Sequence, residues 1–315
     1  MKKRYLIILL IILSIISIFI GVIDISVSGI LKMKQEDLQI LFLSRLPRLI
    51  SIITAGVGMS IGGLIMQQIS RNKFVSPTTA ATEDSAKLGV LTAMILFPGA
   101  GSFNTMVISF IFAIGGTYLF MQILNRVKFK NVVFIPLIGI MVGNIIDSVS
   151  TFIAYKYDLV QNVSSWLLGD FSMIIKGRYE LLYISIPLVL IAFIYANKFT
   201  IAGMGEEFSK NLGLNYKKLV NLGIVLVALI SSLVIITVGK IPFLGLVVPN
   251  IVTIFLGDNM KNNIGQTALF GAVFLLICDI LGRLIVYPYE ISISLTVGVI
   301  GSIIFLYLVL RRNKS

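Results

Sequence analysis

Histidine is absent from the 315-residue chain, and cysteine occurs once, at Cys278. A lone thiol forms no disulfide within the chain, and nothing remains from which the usual His/Cys zinc site is built. Charge is scarce as well: 13% of residues are Asp, Glu, Lys or Arg against 57% hydrophobic, and mean hydropathy is +1.00. A water-soluble domain cannot hide that much apolar surface, so lipid is the solvent for much of the chain. Catalytic signatures are missing too. No P-loop, HExxH or GxSxG pattern and no paired catalytic carboxylates occur, so the chain does not hydrolyse ATP by the P-loop route and offers no constellation for an intramembrane enzyme.

What is present is a series of apolar segments. Ten can be laid out, at approximately 5–23, 47–69, 86–98, 103–124, 132–154, 180–197, 219–238, 243–256, 265–287 and 291–310. A full span needs about 20 residues, so the third and eighth are short. Both are bordered by Gly or Pro, as expected of tilted, broken or re-entrant helices. The first run follows Met1-Lys2-Lys3-Arg4 and lacks a small-x-small cleavage site, so it is expected to be a retained helix rather than a signal peptide.

The net charge of +12 invites a nucleic-acid reading, but Lys and Arg gather in short clusters between the segments rather than along one stripe. That pattern sets membrane orientation. With the N terminus cytosolic, eight of the 26 basic residues fall outside (Lys32, Lys34, Arg45, Arg48, Lys156, Lys176, Arg178 and Lys240) and two, Lys87 and Arg283, fall within segments. The other 16 lie inside. The expectation is an all-α membrane protein of about ten transmembrane helices, one domain over 1–315, with both termini in the cytosol.

Several polar groups sit at informative depths. Arg45 and Arg48 flank Pro47 at the start of the second segment, where a proline favours a helix start and holds both guanidinium groups near the outer face. Their readings are snorkelling to lipid phosphates or pairing with carboxylates of an external partner. Asp279 and Arg283 lie four apart in the ninth segment and can face each other along a helix. Asp147, in the fifth, has no partner nearby in sequence. Trp166 reads as an interfacial anchor. Gly56, Gly58, Gly62 and Gly63 recur through the second segment, and Gly139 and Gly143 form a small-xxx-small pair in the fifth; such glycines let helices pack closely or line a path.

The stretch Gly203–Lys218 (GMGEEFSKNLGLNYKK) lies between two long apolar segments and has the make-up of a small helix outside the bilayer. Glu206 and Glu207 suit the positive end of its dipole, Phe208 and Leu212 share one face, and Gly213 is a left-handed terminator. It is either a docking surface or a helix resting on lipid headgroups.

Read together, these pieces resemble the BtuC/FecCD permeases, the membrane subunits of type II ABC importers for iron–siderophores, haem and cobalamin. The resemblance runs through nearly the whole chain: RLPR (45–48), GGLIMQQISRN (62–72), WLLGDFS (166–172), GMGEEFSKNLG (203–213), GKIPFLGLVVPNIV (239–252) and CDILGR (278–283). It implies ten helices per subunit, a BtuC-like fold, and two subunits around a central path in the bacterial cytoplasmic membrane. The knob (203–214) would be a coupling helix entering an ATPase cleft through Gly205, Glu206, Glu207, Phe208, Leu212 and Gly213. Arg45, Arg48 and Arg283 would dock an extracellular substrate-binding lipoprotein. Gly56, Gly62, Gly143, Gly245 and Pro249 would line the path.

The resemblance also implies the partners: a second permease, two ABC ATPases, the lipoprotein, membrane lipid, and no nucleic acid. The chain itself would bind no cofactor, with ATP and Mg held by the ATPases. Departures occur at RNKFVSP (71–77), at VVPN followed by Thr253, and at Ser292-Ile293-Ser294. These resemble a Gram-positive subgroup handling catecholate siderophores, petrobactin-type permeases above all, in which two different permeases commonly pair as a heterodimer. The expected function is therefore the permease of a ferric-siderophore importer. Haem or cobalamin as cargo stays open, as does an ion-coupled secondary transporter working through Asp147 or Asp279.

Overall fold

The computed structural model describes residues 2–21, 35–77, 81–99, 101–126, 134–172, 174 and 179–312. Of the basic residues used above for orientation, Lys32, Lys34, Lys128, Lys130, Lys176, Arg178 and Lys314 lie outside the described residues. The described chain is helical, without a β-strand. Its α-helices are α1 (Lys3–Phe19), α2 (Gln35–Ile40), α3 (Leu46–Ser70), α4 (Thr82–Leu96), α5 (Ser102–Arg126), α6 (Phe134–Lys156) and α7 (Val160–Leu167). They continue as α8 (Ser185–Met204), α9 (Glu206–Asn211), α10 (Tyr216–Val238), α11 (Leu244–Leu256), α12 (Met260–Leu284) and α13 (Ile293–Arg312).

Six helical stretches are long and apolar enough to cross a membrane: Asp37–Ser70, Ser102–Ile123, Leu137–Lys156, Glu180–Met204, Tyr216–Val238 and Met260–Leu284. Leu244–Leu256 and Ile293–Leu308 are apolar but shorter. Six of the ten expected segments thus fall in full-length spans, and two more, 243–256 and 291–310, in these shorter apolar helices. The segments at 86–98 and 243–256, short in sequence, form α4 and α11 of 15 and 13 residues.

The spans form an inner group and an outer ring. About three-quarters of the α3 and α10 windows and 67% of the α12 window are buried within the chain, against 33% or less for α5, α6 and α8. The outer helices turn side chains such as Phe152 and Ile194 outward, as lipid requires.

The sequence of α3 explains why it is the hub. Leu41–Arg45 is a π-helical turn that runs directly into α3 just before Pro47, whose missing N–H interrupts the regular ladder at this point of the continuous helix. Small residues then let neighbours approach to backbone distance. A Cβ at Gly56 would lie 2.8 Å from Gly271 O and Ala272 Cα of α12, and one at Gly63 would run into the Gly245 carbonyl of α11. Large side chains fill the rest: Ile61, Leu64 and Ile65 pack with Phe199 of α8 and Ile224 of α10, and Ile52 packs with Leu275 of α12.

Two ends of the bundle are defined by their connections. At one end, the knob end, α3 finishes on Arg71, in left-handed conformation at φ 47°. Here Lys73 Nζ pairs with Asp258 Oδ1 at 2.5 Å, and Gln68 Nε2 donates to Asp258 O at 2.9 Å. At the far end, α10 runs out at Val238 and the chain turns back through Lys240–Phe243. Pro249 lies inside α11, which spans only about 20 Å at 1.5 Å per residue, so the extended turn completes the return. Asn250 Nδ2 donates to both Leu246 O (2.8 Å) and Lys73 O (2.7 Å), and Gln67 Nε2 also reaches Leu246 O (3.2 Å). Side chains thereby occupy carbonyls around the interrupted helix.

The close approach at Gly63 sets a stability test. Adding one methyl with Gly63→Ala forces α3 and α11 apart, an overpacking cost of about 1–3 kcal/mol. Gly115→Ala, where a Cβ meets open space, should be neutral or stabilising. Thermal unfolding of the detergent-purified protein checks this; equal midpoints for the two variants would show that the α3–α11 contact yields without cost.

Candidate functional site

Candidate sites lie at the two ends. At the knob end, α9 is cut off from α8 by Gly205 at φ 125°, a conformation L-residues rarely adopt. Glu206 and Glu207 occupy the first turn, and Glu206 pairs with Lys210 at 2.7 Å. The helix ends in a Schellman-type cap: Gly213, at φ 74°, donates to Lys210 O, and Leu214 donates to Ser209 O. Buried Ser209 fastens the knob by donating to Gly205 O at 2.6 Å, with Ile201 O at 3.2 Å as the alternative acceptor. The guanidinium of Arg71 packs against Gly205, so α3 touches the knob directly. Phe208 and Leu212 remain 47% and 54% exposed. All six residues expected in the knob are thus brought together, with an apolar pair facing outward from a fastened support.

At the far end, the arginines are not where the sequence put them. Arg48 lies within the bundle, donating through Nε (3.2 Å) and Nη2 (2.8 Å) to Asp279 Oδ1 and through Nη1 (2.7 Å) to Glu290 Oε2. Arg283 makes an ion contact with Asp279 Oδ2 at 2.5 Å and donates to Ser17 O, Ser17 Oγ and Ile20 O of the α1 end. Arg45 donates to Ile20 O at 3.0 Å. Exposure of the three is 8%, 8% and 2% for Arg45, Arg48 and Arg283. Each of the three guanidinium groups expected to meet an external lipoprotein thus has partners within the chain. In the helix interior a carboxylate is the better partner, and Asp279 holds both Arg48 and Arg283. Sequence reasoning paired Asp279 with Arg283 but missed Arg48, 231 positions away, and Glu290.

Four of the five residues expected to line the path make close contacts within the chain. Gly56 abuts the α12 backbone, Gly62 faces Pro77 and Val227, and Gly245 packs on Pro77 and the Met59 carbonyl. Pro249 is buried within α11. These positions make contacts inside the chain. Gly143 alone lies beside an ionisable group, the carboxylate of Asp84. Asp147 is paired with Lys87 Nζ at 2.7 Å.

The 166–172 loop is stitched to the α10–α11 turn. Lys240 N donates to Leu167 O, Asp170 N to Val238 O, and Ser294 Oγ to Lys240 O at 2.7 Å, while Gly169 N donates to Ser294 Oγ. Ser294, one of the departures in the sequence, is therefore a structural tie. Trp166 is half-buried against the α4–α7 cluster as well as near the surface.

A helical membrane protein with a fastened external knob, a buried charge network and interrupted helices has the build of a transporter's membrane subunit. Comparison with known proteins makes this specific. The FecCD transport family matches residues 9–311, and the chain belongs to that family. It is 63% identical over 313 residues to the petrobactin import system permease protein YclN of Bacillus subtilis strain 168, covering 99% of both chains. It is 37% identical over 308 residues to the petrobactin import system permease protein FatD of Bacillus anthracis, covering 98% of this chain and 90% of that one. Its fold matches the inward-facing conformation of a metal-chelate type ABC transporter with a TM-score of 0.88 at 23% identity, covering 98% of each chain.

The charge network carries a prediction. Asp279→Asn leaves two buried guanidinium groups short of their shared carboxylate, which costs about 3–5 kcal/mol when a buried pair is broken. Glu290→Gln, at a side chain 21% exposed, should cost much less. Thermal unfolding in detergent, read with membrane yield, separates the two; similar losses would mean that Asp279 is not the pivot.

Proposed function

We propose that the chain is the permease subunit of an ATP-driven ABC importer that carries a ferric siderophore of the petrobactin type across the bacterial cytoplasmic membrane. The observation that carries this reading is the end-to-end 63% identity to a petrobactin import permease, which leaves no large segment of either chain unmatched. The likeness in fold to a metal-chelate type ABC transporter supports the permease architecture, which we read as ten helices per subunit with α1, α4 and α11 as its shorter members.

In this reading the chain provides passage and converts movement, while ATP and Mg are held by two partner ATPases. A second, different permease completes the path and an external lipoprotein delivers the chelate. The knob is the coupling helix. Phe208 and Leu212 enter an apolar cleft of the ATPase, and Glu206 and Glu207 sit where the helix dipole favours negative charge. Gly205 and Gly213 set the two sharp turns that hold α9 across the ends of α8 and α10. Both termini lie in the cytosol, consistent with the basic residues that cluster on the knob side, among them Lys198, Lys210, Lys217 and Lys218.

Uptake of iron-55 petrobactin by cells lacking and then regaining the chain tests the cargo, and co-purification from native membranes tests the partners. Complementation by the chain is the expected result; undiminished uptake without it would overturn the assignment of cargo. Phe208→Asp should reduce ATP-dependent uptake at least about tenfold, because a buried unpaired charge at an apolar contact costs more than the roughly 1.4 kcal/mol that a tenfold change represents. Uptake at the wild-type rate would mean that α9 is a surface helix without a coupling role.

A further inference from the structure

Three chain ends meet at the base of the knob: the last turn of α3, the joint between α8 and α9, and the first turn of α10. Arg71 closes α3 in left-handed conformation, and the cap is tied by Arg71 N donating to Gln68 O at 3.3 Å and Asn72 N to Gln67 O at 3.2 Å. That backbone is uncommon for a residue other than glycine, and the two bonds fix the point from which the long side chain starts. The guanidinium takes the place that a side chain at residue 205 would need. A Cβ at Gly205 would overlap Arg71 Nη2 and would lie 3.1 Å from Cζ.

Tyr216 opens α10, directly after the capping residue Asn215, whose side chain accepts from Lys218 N at 3.0 Å. Its ring packs on the inner cluster formed by α3, α8 and α10. Its hydroxyl is buried and has no hydrogen-bond partner among the described residues. The Arg71 guanidinium stands close enough to interact with that hydroxyl, yet the two are not aligned for a bond. The Glu206 carboxylate, also within electrostatic reach of Tyr216, is held by Lys210 at 2.7 Å. A buried hydroxyl that has lost water and gained no partner is destabilising. Phenylalanine would pack equally well and avoid that cost. The hydroxyl therefore points to a partner met in a second arrangement of the same three chain ends, and Arg71 is the donor beside it.

We propose that Arg71 is a positioning residue for the knob, and that a shift of α9 against α3 carries its guanidinium from Gly205 onto the Tyr216 hydroxyl, which latches the displaced knob. The inference rests on the coupling role proposed for α9 and adds the group that registers its movement. Arginine suits both seats. Its flat face covers the bare backbone at Gly205, and its fork keeps donors for the hydroxyl.

The assembled transporter, purified with its ATPases, carries the test. Thermal unfolding is followed without nucleotide and after trapping with Mg-ATP and vanadate. Tyr216→Phe removes only the unpaired hydroxyl. Without nucleotide its midpoint should equal or exceed that of the unsubstituted complex; after trapping it should fall below it. Arg71→Ala should lower the trapped midpoint as well, and adding Tyr216→Phe should bring no further loss, because both changes remove one bond. Iron-55 petrobactin taken up per ATP hydrolysed should fall at least about fivefold in Tyr216→Phe, as loss of one hydrogen bond to a charged group gives. A lower midpoint without nucleotide would show that the hydroxyl is already bonded at rest. An unchanged midpoint after trapping, or losses that add, would show that the latch does not form. Either result overturns the proposal. Phe208→Asp separates it from the reading beneath: if that variant uncouples and Tyr216→Phe does not, the latch alone falls, and if Phe208→Asp is silent the coupling role falls.

Discussion

Asp279 is the one carboxylate that two buried guanidinium groups share, and the far end of the bundle is organised around it. Arg48 brings α3 to it, Arg283 brings α12, and the Arg283 donors continue to the carbonyls at the end of α1. In water such an arrangement would add little. Within a helix bundle, the alternative to pairing is an uncompensated charge in a medium that cannot solvate it, and this constraint fixes the three helices relative to one another. Glu290 closes the network from the turn before α13. The small residues of α3 allow the same helices to meet at backbone distance, so packing and charge specify one crossing geometry.

Three kinds of charged group are separated by environment. Those at the knob end are surface pairs, such as Lys73 with Asp258 and Lys210 with Glu206. Those at the far end are sequestered. Between α4 and α6, Lys87 and Asp147 form a pair that is partly exposed on this chain.

Much of this was legible in the sequence, for physical reasons that differ by residue. Long apolar runs give the spans because lipid leaves the backbone no other way to satisfy its polar groups. The knob was legible because its signals are local: a dipole-favoured pair of glutamates, an i,i+4 apolar pair and a terminal glycine all lie within a few residues. The arginines were misplaced because their partners are not local. Nothing near Arg48 in sequence announces Asp279, and a guanidinium at a helix start reads as outward-facing until the opposing helix is in place. Glycines carry the same ambiguity. Gly56 and Gly143 look alike along the chain, yet one meets a backbone and the other meets a carboxylate. Lys87 and Asp147 lie 60 positions apart, and their pairing became visible only when α4 lay beside α6.

The contact of Arg71 with Gly205 gives α9 an unusual mechanical position. A push on the knob does not have to travel first through the outer helices, whose packing against lipid is soft. It enters α3 at its last turn, and from there Gln67, Gln68 and the Lys73 segment hand it to both ends of α11. A displacement of this six-residue helix would thus meet one of the two most buried helices of the bundle before the outer ones.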